Sequence, residues 1–198
     1  MSRVCKGGGG PWFSPETGEA GLLADFCDVC GMNPHVVWQA GGKVGMAEGI
    51  LSVGFPLFQV EPGAVCPWNI VLSGWLVSCD GEAWAPVHAA DGVGGSAGIV
   101  GPAHRLLRAK SGVVLCATPW ELLELTRTVP SDIPVFLVPE QPAVTDLEFL
   151  VFLAERHLVA YVVSRGFSVM REWLRVWLRF LRQAEVQTEI LFPEGEGF

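Results

Sequence analysis

The sequence predicts an α/β fold, and three observations carry that prediction. From about residue 101 onward, short apolar runs alternate with segments of helical periodicity. Those runs are apolar throughout rather than at every second residue, the pattern of strands buried on both faces of a parallel sheet. The preceding hundred residues hold most of the glycine and little helical periodicity. A β-rich, Gly-rich region, residues 1–100, is therefore expected before an α/β domain, residues 101–198.

In the first region, Ile50 to Val60, Ile70 to Val77 and Ala83 to His88 read as strands between turns. "KGGGGPW", "AGGKVGMAEG" and "ADGVGGSAG" read as turns, and the last lacks the Gly-Lys-Ser/Thr ending of a phosphate loop. In the second region, "GPAHRLLRAK" predicts a short helix and "GVVLCAT" a buried strand. "PWELLELTRTV" predicts a helix opened by Pro119, "IPVFLVP" a strand, "AVTDLEFLVFLAERH" a helix and "LVAYVV" a strand. "SVMREWLRVWLRFLRQA" predicts a helix capped by Ser168, and "VQTEILF" a last strand.

At 100° per residue, Met170, Trp173, Leu174, Trp177, Leu178 and Leu181 fall on one face of that long helix. Arg171, Arg175, Arg179 and Arg182 gather on the other. Such a stripe is either a solvated face whose long side chains shield apolar neighbours or a ridge that touches phosphates. Arg105, Arg108 and Lys110 form a second basic cluster, and the two clusters hold seven of the thirteen basic residues. A net charge of −8 disfavours indiscriminate nucleic-acid binding through a whole-body field, yet permits a local basic surface for a DNA or RNA backbone.

A chain of 198 residues is long enough to bury a sizeable core. Half its residues are hydrophobic and its mean hydropathy is +0.38. Gly, Pro or charged residues nevertheless interrupt every apolar run before the roughly 18 residues that a spanning helix needs. "MSRVCKGGGGPW" has no apolar stretch after its basic residues, so no signal peptide or membrane association is expected, and the expected location is the cytoplasm. Eight Trp in so apolar a chain favour a protein partner that covers part of the surface.

Six cysteines are too unevenly spaced for a secreted disulfide framework. Cys27 and Cys30, in "FCDVCGMNPH", have the spacing with which two thiolates on a turn reach one zinc. Cys66 and Cys79 could complete four ligands, with His35 or His88 as substitutes. Buried thiols without metal are the other reading. A zinc held by four protein ligands would be structural, because no coordination position stays open. Cys116, in a predicted central strand, reads as a small core residue.

Three pieces of the second region carry a resemblance to a known family. They are "VVLCATPWELLEL" (Val113–Leu125), the strand–loop–helix–strand from Leu158, and the closing "FPEGEGF". Together they resemble the TOPRIM domain of bacterial primases, topoisomerases and related nucleases, over residues 113–198. That resemblance implies a catalytic Glu at a strand end, an Asp-x-Asp loop after a later strand, and Mg²⁺ held by these carboxylates for phosphoryl transfer. Here the strand-end Glu falls on Ala117, the two Asp fall on Ser164 and Gly166, and the terminal acidic position is Glu196. Primases also carry a zinc module ahead of this domain, in the same order. The resemblance therefore implies a degenerate TOPRIM domain with no catalytic residues and no Mg²⁺. The expected function is a non-catalytic accessory subunit of a primase or replication assembly. Two alternatives stay open: an active metal-dependent primase or nuclease with carboxylates elsewhere, or a zinc-stabilised subunit of another nucleoprotein complex, RNA-guided ones included.

Overall fold

The computed structural model describes residues 14–15, 20–62, 68–88, 98–163 and 168–192. Cys66, the loop 164–167 and Glu196 lie outside the described residues, as does the side chain of Arg171. The first region runs β1 (Ser14–Pro15), α1 (Ala20–Val29), α2 (Pro34–Gln39), β2 (Lys43–Ala47), β3 (Ile50–Pro62), β4 (Trp68–Ser78), β5 (Ala85–His88) and β6 (Ile99–Val100). The second runs α3 (Ala103–Leu106), β7 (Gly112–Cys116), α4 (Pro119–Thr128), β8 (Val135–Leu137), α5 (Val144–Glu155), β9 (Val159–Val163), α6 (Ser168–Gln183) and β10 (Thr188–Leu191).

The fold is α/β with a mixed sheet, and its parallel part follows the predicted alternation. β8, β7, β9 and β10 lie side by side in that order, all parallel. Every residue of β7 is buried, as an apolar run in a sheet covered on both faces requires. From β7 the chain steps one way to β8, then back across β7 to β9 and onward to β10. Right-handed crossovers in opposite directions place their helices on opposite faces. The two cores obey that rule. Leu122 and Leu123 of α4 pack with Phe26, Val37, Val114 and Cys116, whereas Phe149 and Leu153 of α5 and Trp173 and Trp177 of α6 pack with Leu115, Phe136, Ala160 and Val162. Trp177 is fully buried, and its Nε1 donates to the Pro139 carbonyl at 2.8 Å.

Both cores also take residues from the first region, because the sheet continues through it. β6 pairs antiparallel with β8 on one side and with β3 on the other. β3 pairs antiparallel with β2 and, along its other edge, with β4. The β2–β3 connection is a two-residue turn with left-handed φ at both Glu48 (52°) and Gly49 (75°), the geometry that matches strand twist in a hairpin. β3, β4 and β5 stand where the sequence predicts strands, whereas β2 is a correction, since it occupies the Gly-rich "AGGKVGMAEG" read as a turn, and β1 and β6 carry no strand signal of their own. Its two helices are a correction to the expected lack of helix. α2 is opened by Asn33, whose Oδ1 accepts from the His35 and Val36 amides at 3.0 and 3.3 Å, with Pro34 in the first turn. Six residues are too few to display a helical period. Cys27 consequently sits inside α1 and only Cys30 in the turn that follows, not both on a turn.

One edge of β3 changes partner part-way along. Ile50 to Gly54 pair with β2, Leu57 and Phe58 pair with β6, and Phe55 and Pro56 lie between. Pro56 suits that gap. Its carbonyl accepts from the Gly101 amide at 3.4 Å, so its missing N–H faces the same side, where the ladder is already interrupted. The start of β2 and the end of β6 meet head to tail there, through backbone that has no Cβ. A Cβ on Gly41 (φ +87°) would come within 3.2 Å of Pro102 Cα, and one on Gly101 (φ +148°) within 2.7 Å of Phe136 Cδ1 and 2.9 Å of the Val135 carbonyl. Gly101→Ala should therefore cost about 2–4 kcal/mol in denaturant unfolding. Gly31→Ala, with left-handed φ but open space around it, should cost only about 1–2 kcal/mol. Equal losses would show that steric closeness at the junction is not what Gly101 provides.

Candidate nucleic-acid interface

The head-to-tail junction opens a groove of about 1030 Å³ on the molecule. The α2–β2 segment contributes Trp38, Gly41, Gly42 and Lys43 to its lining, and β3 and β4 contribute Pro56, Leu72 and Trp75, where Pro56 and Trp75 are cross-strand partners. α3 and the segment after it contribute His104, Arg105, Arg108 and Lys110. Asp132 is the one acid among the described lining residues. The predicted cluster Arg105, Arg108 and Lys110 is thus gathered in one groove and joined by Lys43, which the sequence places sixty residues upstream. Trp38 is 66% exposed and stacks on the His35 ring at 6.2 Å with 25° between planes. Partial desolvation lowers the pKa of His104 from its usual value, and the neighbouring Arg105 and Arg108 lower it further.

The α3 segment is fixed in place. Leu106 is fully buried, and Arg156 at the end of α5 donates Nη2 to the Ala109 carbonyl at 3.3 Å and to the Leu107 carbonyl at 3.5 Å. These bonds clamp the turn between α3 and β7, from which Arg108 and Lys110 project. Lys43, Trp38 and Trp75 were not singled out by sequence reasoning as site residues. Only the large number of Trp hinted at the aromatic members.

The second basic stripe stands apart from this groove. Trp173, Trp177 and Leu181 are buried, while Arg175, Arg179 and Arg182 are exposed, so α6 is amphipathic as the periodicity predicts. None of the three lines the groove; Arg182 lines a separate hollow of about 490 Å³ beside β10. Arg175 is paired with Glu172 at 3.8 Å, with both side chains about three-quarters exposed (77% and 75%). Such a pair is weak in water.

The C-terminal end of β7, next to β9, is where the strand order reverses, the place where open α/β sheets bind ligands. Ala117 occupies the strand end. The nearby carboxylate is that of Glu121, 3% exposed, which turns back: its Oε2 accepts from the Ala117 and Thr118 amides at 2.9 and 3.1 Å, while Thr118 Oγ1 accepts from the Glu121 amide at 3.2 Å. That is a reciprocal capping box, which ties the carboxylate to the start of α4. Asp146, 1% exposed, does half of the same for α5: its Oδ2 accepts from the Ala143 amide at 2.8 Å, and Ala143 has no side chain to return the bond. The other oxygen of Asp146 has no hydrogen-bond partner among the described residues.

Three of the proposed zinc ligands are described. Cys27 is fully buried in the core, which pushes its thiol up to about 11, with Cys30 adding to the shift. Cys30 packs on the turn after β4, since a Cβ on Gly81 would meet Cys30 Cβ at 3.1 Å. Burial raises the Cys30 thiol, and Asp80 and Cys79 on that turn raise it further. Asp80 is itself held as an anion by the Ala83 and Glu82 amides, both at 2.9 Å. Among the described residues no group of three or more His, Cys, Asp or Glu is placed to hold a metal ion. Cys116 is a buried core residue, as its strand predicts.

No family model matches the sequence, and no curated protein matches it. Among the described residues no helix is long and apolar enough to cross a membrane.

Burial pushes the Asp146 carboxyl up from 3.8 to about 6, against the pull of the Ala143 hydrogen bond. A raised folded pKa favours the neutral acid: its advantage is complete below pH 3.8 and is lost as pH rises through about 6. Asp146→Asn keeps an acceptor for Ala143 and removes the buried charge. It should raise stability at pH 7.5 by up to about 3 kcal/mol and leave stability at pH 4 nearly unchanged. Denaturant unfolding at both pH values checks this; a loss at pH 7.5 would mean that the carboxylate is favoured in place.

Proposed function

We propose that this protein is a non-catalytic, nucleic-acid-binding accessory subunit of a larger nucleic-acid-processing assembly in the cytoplasm, of primase or replication type. The single observation that carries the proposal is the groove: four cations, Lys43, Arg105, Arg108 and Lys110, face one acid, Asp132, in a chain of net charge −8. A local cationic groove on an acidic body attracts a phosphate backbone despite the net negative charge. The TOPRIM-like reading of residues 113–198 supports the silent half of the proposal. At the strand end where that family holds a catalytic Glu there is Ala117, and the carboxylates of Glu121 and Asp146 serve as helix caps. A protein partner is favoured by the large apolar side chains left on the surface, Val29, Trp120 and Phe192.

The test reverses charge at two groove positions. Arg105→Glu with Arg108→Glu should weaken binding of a DNA or RNA strand at least tenfold and reduce the slope of log affinity against log salt by about 1–2. Both side chains are at least partly exposed, so circular dichroism should be unchanged. Unchanged affinity and slope in the folded variant would overturn the proposal. The same double reversal at Arg175 and Arg179 should have a smaller effect than at the groove.

A structural zinc on Cys27, Cys30, Cys66 and Cys79 belongs to the same reading. The observation that favours it is the packing of Cys30 on the turn that carries Cys79. Protein purified without added metal should contain about one equivalent of zinc, which Cys30→Ser should abolish with loss of stability. Less than about half an equivalent would leave these cysteines as packed thiols.

A further inference from the structure

We infer that the groove takes an unpaired strand, with a base stacked on Trp38 and the flanking phosphates held by Lys43, Arg105, Arg108 and Lys110. This inference rests on the nucleic-acid reading above and names the form of nucleic acid. Two features of the groove lead to it. The first is size. About 1030 Å³ lies at the top of the range of about 300–1,000 Å³ that suits small-molecule pockets, so it holds a few nucleotides of one strand.

The second feature is that rings and cations line one groove together. Trp38 and Trp75 line the same groove as Lys43, Arg105, Arg108 and Lys110. In a duplex the faces of the bases are stacked on each other, and an indole finds only edges and sugars. In a single strand each base offers a π-face, and each phosphate lies a sugar away from it. A groove lined by both indole rings and guanidinium or ammonium groups fits that alternation, independently of sequence, because every base has a face to stack. An acidic protein segment would satisfy the cations and leave the indole face unused.

Trp38 is suited to the stacking role by its place in the fold. It sits in the last turn of α2, and the Gly41 amide donates to its carbonyl at 3.0 Å, which fixes its backbone at the rim. The His35 ring, stacked on it, limits the ring's freedom in the open groove, and Gln39 Nε2 lies 2.9 Å from His35 Nε2. The indole itself is two-thirds exposed (66%).

The experiment uses the full chain and two probes at equal nucleotide concentration: an oligothymidylate of about twelve nucleotides and a hairpin duplex of mixed sequence with a stem of about twelve base pairs. The inference expects the single strand to bind at least tenfold more tightly, to quench tryptophan fluorescence, and to show a salt slope of about −2 to −3 for three to four phosphate contacts. Trp38→Ala should weaken the single strand about 5- to 100-fold with the slope retained, and Trp38→Phe, which keeps a ring, should recover most of that loss. The substituted side chain is on the surface, so both variants are expected to fold. Equal binding of duplex and single strand, or a Trp38→Ala variant that binds as the native chain does, overturns the inference and leaves the phosphate-binding reading standing. Competition by thymidine monophosphate or by polyglutamate as strong as by the oligonucleotide also overturns it. Absence of salt-dependent binding to either probe overturns both readings at once.

Discussion

Pro56 has no N–H to contribute, and the consequence of that one missing donor runs through the molecule. The long strand β3 cannot hold a continuous partner on that edge, so two strands share it, with the end of one and the start of the other meeting at the gap. Close approach at such a meeting needs backbone without Cβ atoms, which Gly41 and Gly101 supply. The ends that diverge from it, the α2–β2 turn and α3, line a groove. On this view the groove is not an accident of loops. It follows from how an antiparallel hairpin is joined to a parallel sheet.

The same junction sorts charge. The body is acidic overall, yet the chain leaving β6 brings Arg105, Arg108 and Lys110 to the groove within six residues, and the chain entering β2 brings Lys43. In water at physiological salt, charges more than about 8 Å apart hardly feel one another, so the net charge of the molecule does not cancel a local cluster of this kind. The α6 arginines illustrate the contrast. Arg175, Arg179 and Arg182 are exposed along one helix, one of them beside an acid, and the hollow that Arg182 lines has no aromatic ring and no second cation among its described lining residues. Cation number alone does not make a site; concavity, which lets several contacts act on one ligand, does.

Much of the fold was legible because its signals are local. A run such as Val113–Cys116 states its own burial, and Thr118, Pro119 and Glu121 announce a helix start within four residues. The face assigned to α6 was legible for the same reason. α1 and α2 were obscured by short length and by the glycines around them. Of the groove, only the stretch contained in one segment, Arg105 to Lys110, could be read; Lys43, Trp38 and Trp75 join it through a strand junction that no local pattern encodes. The acidic residues gave the opposite lesson. Glu121 stands four positions from the strand end where a metal ligand is sought, yet in the fold its carboxylate is spent on two backbone amides.

The most direct measurement of the central claim is a map of where a strand touches the chain. An oligonucleotide carrying 4-thiothymine, cross-linked to the protein by ultraviolet light and read out by peptide mass spectrometry, supplies one. Adducts on the peptides that contain Trp38 and residues 101–110 are the predicted result. Adducts confined to α6, or to the loop between β9 and α6, would contradict it.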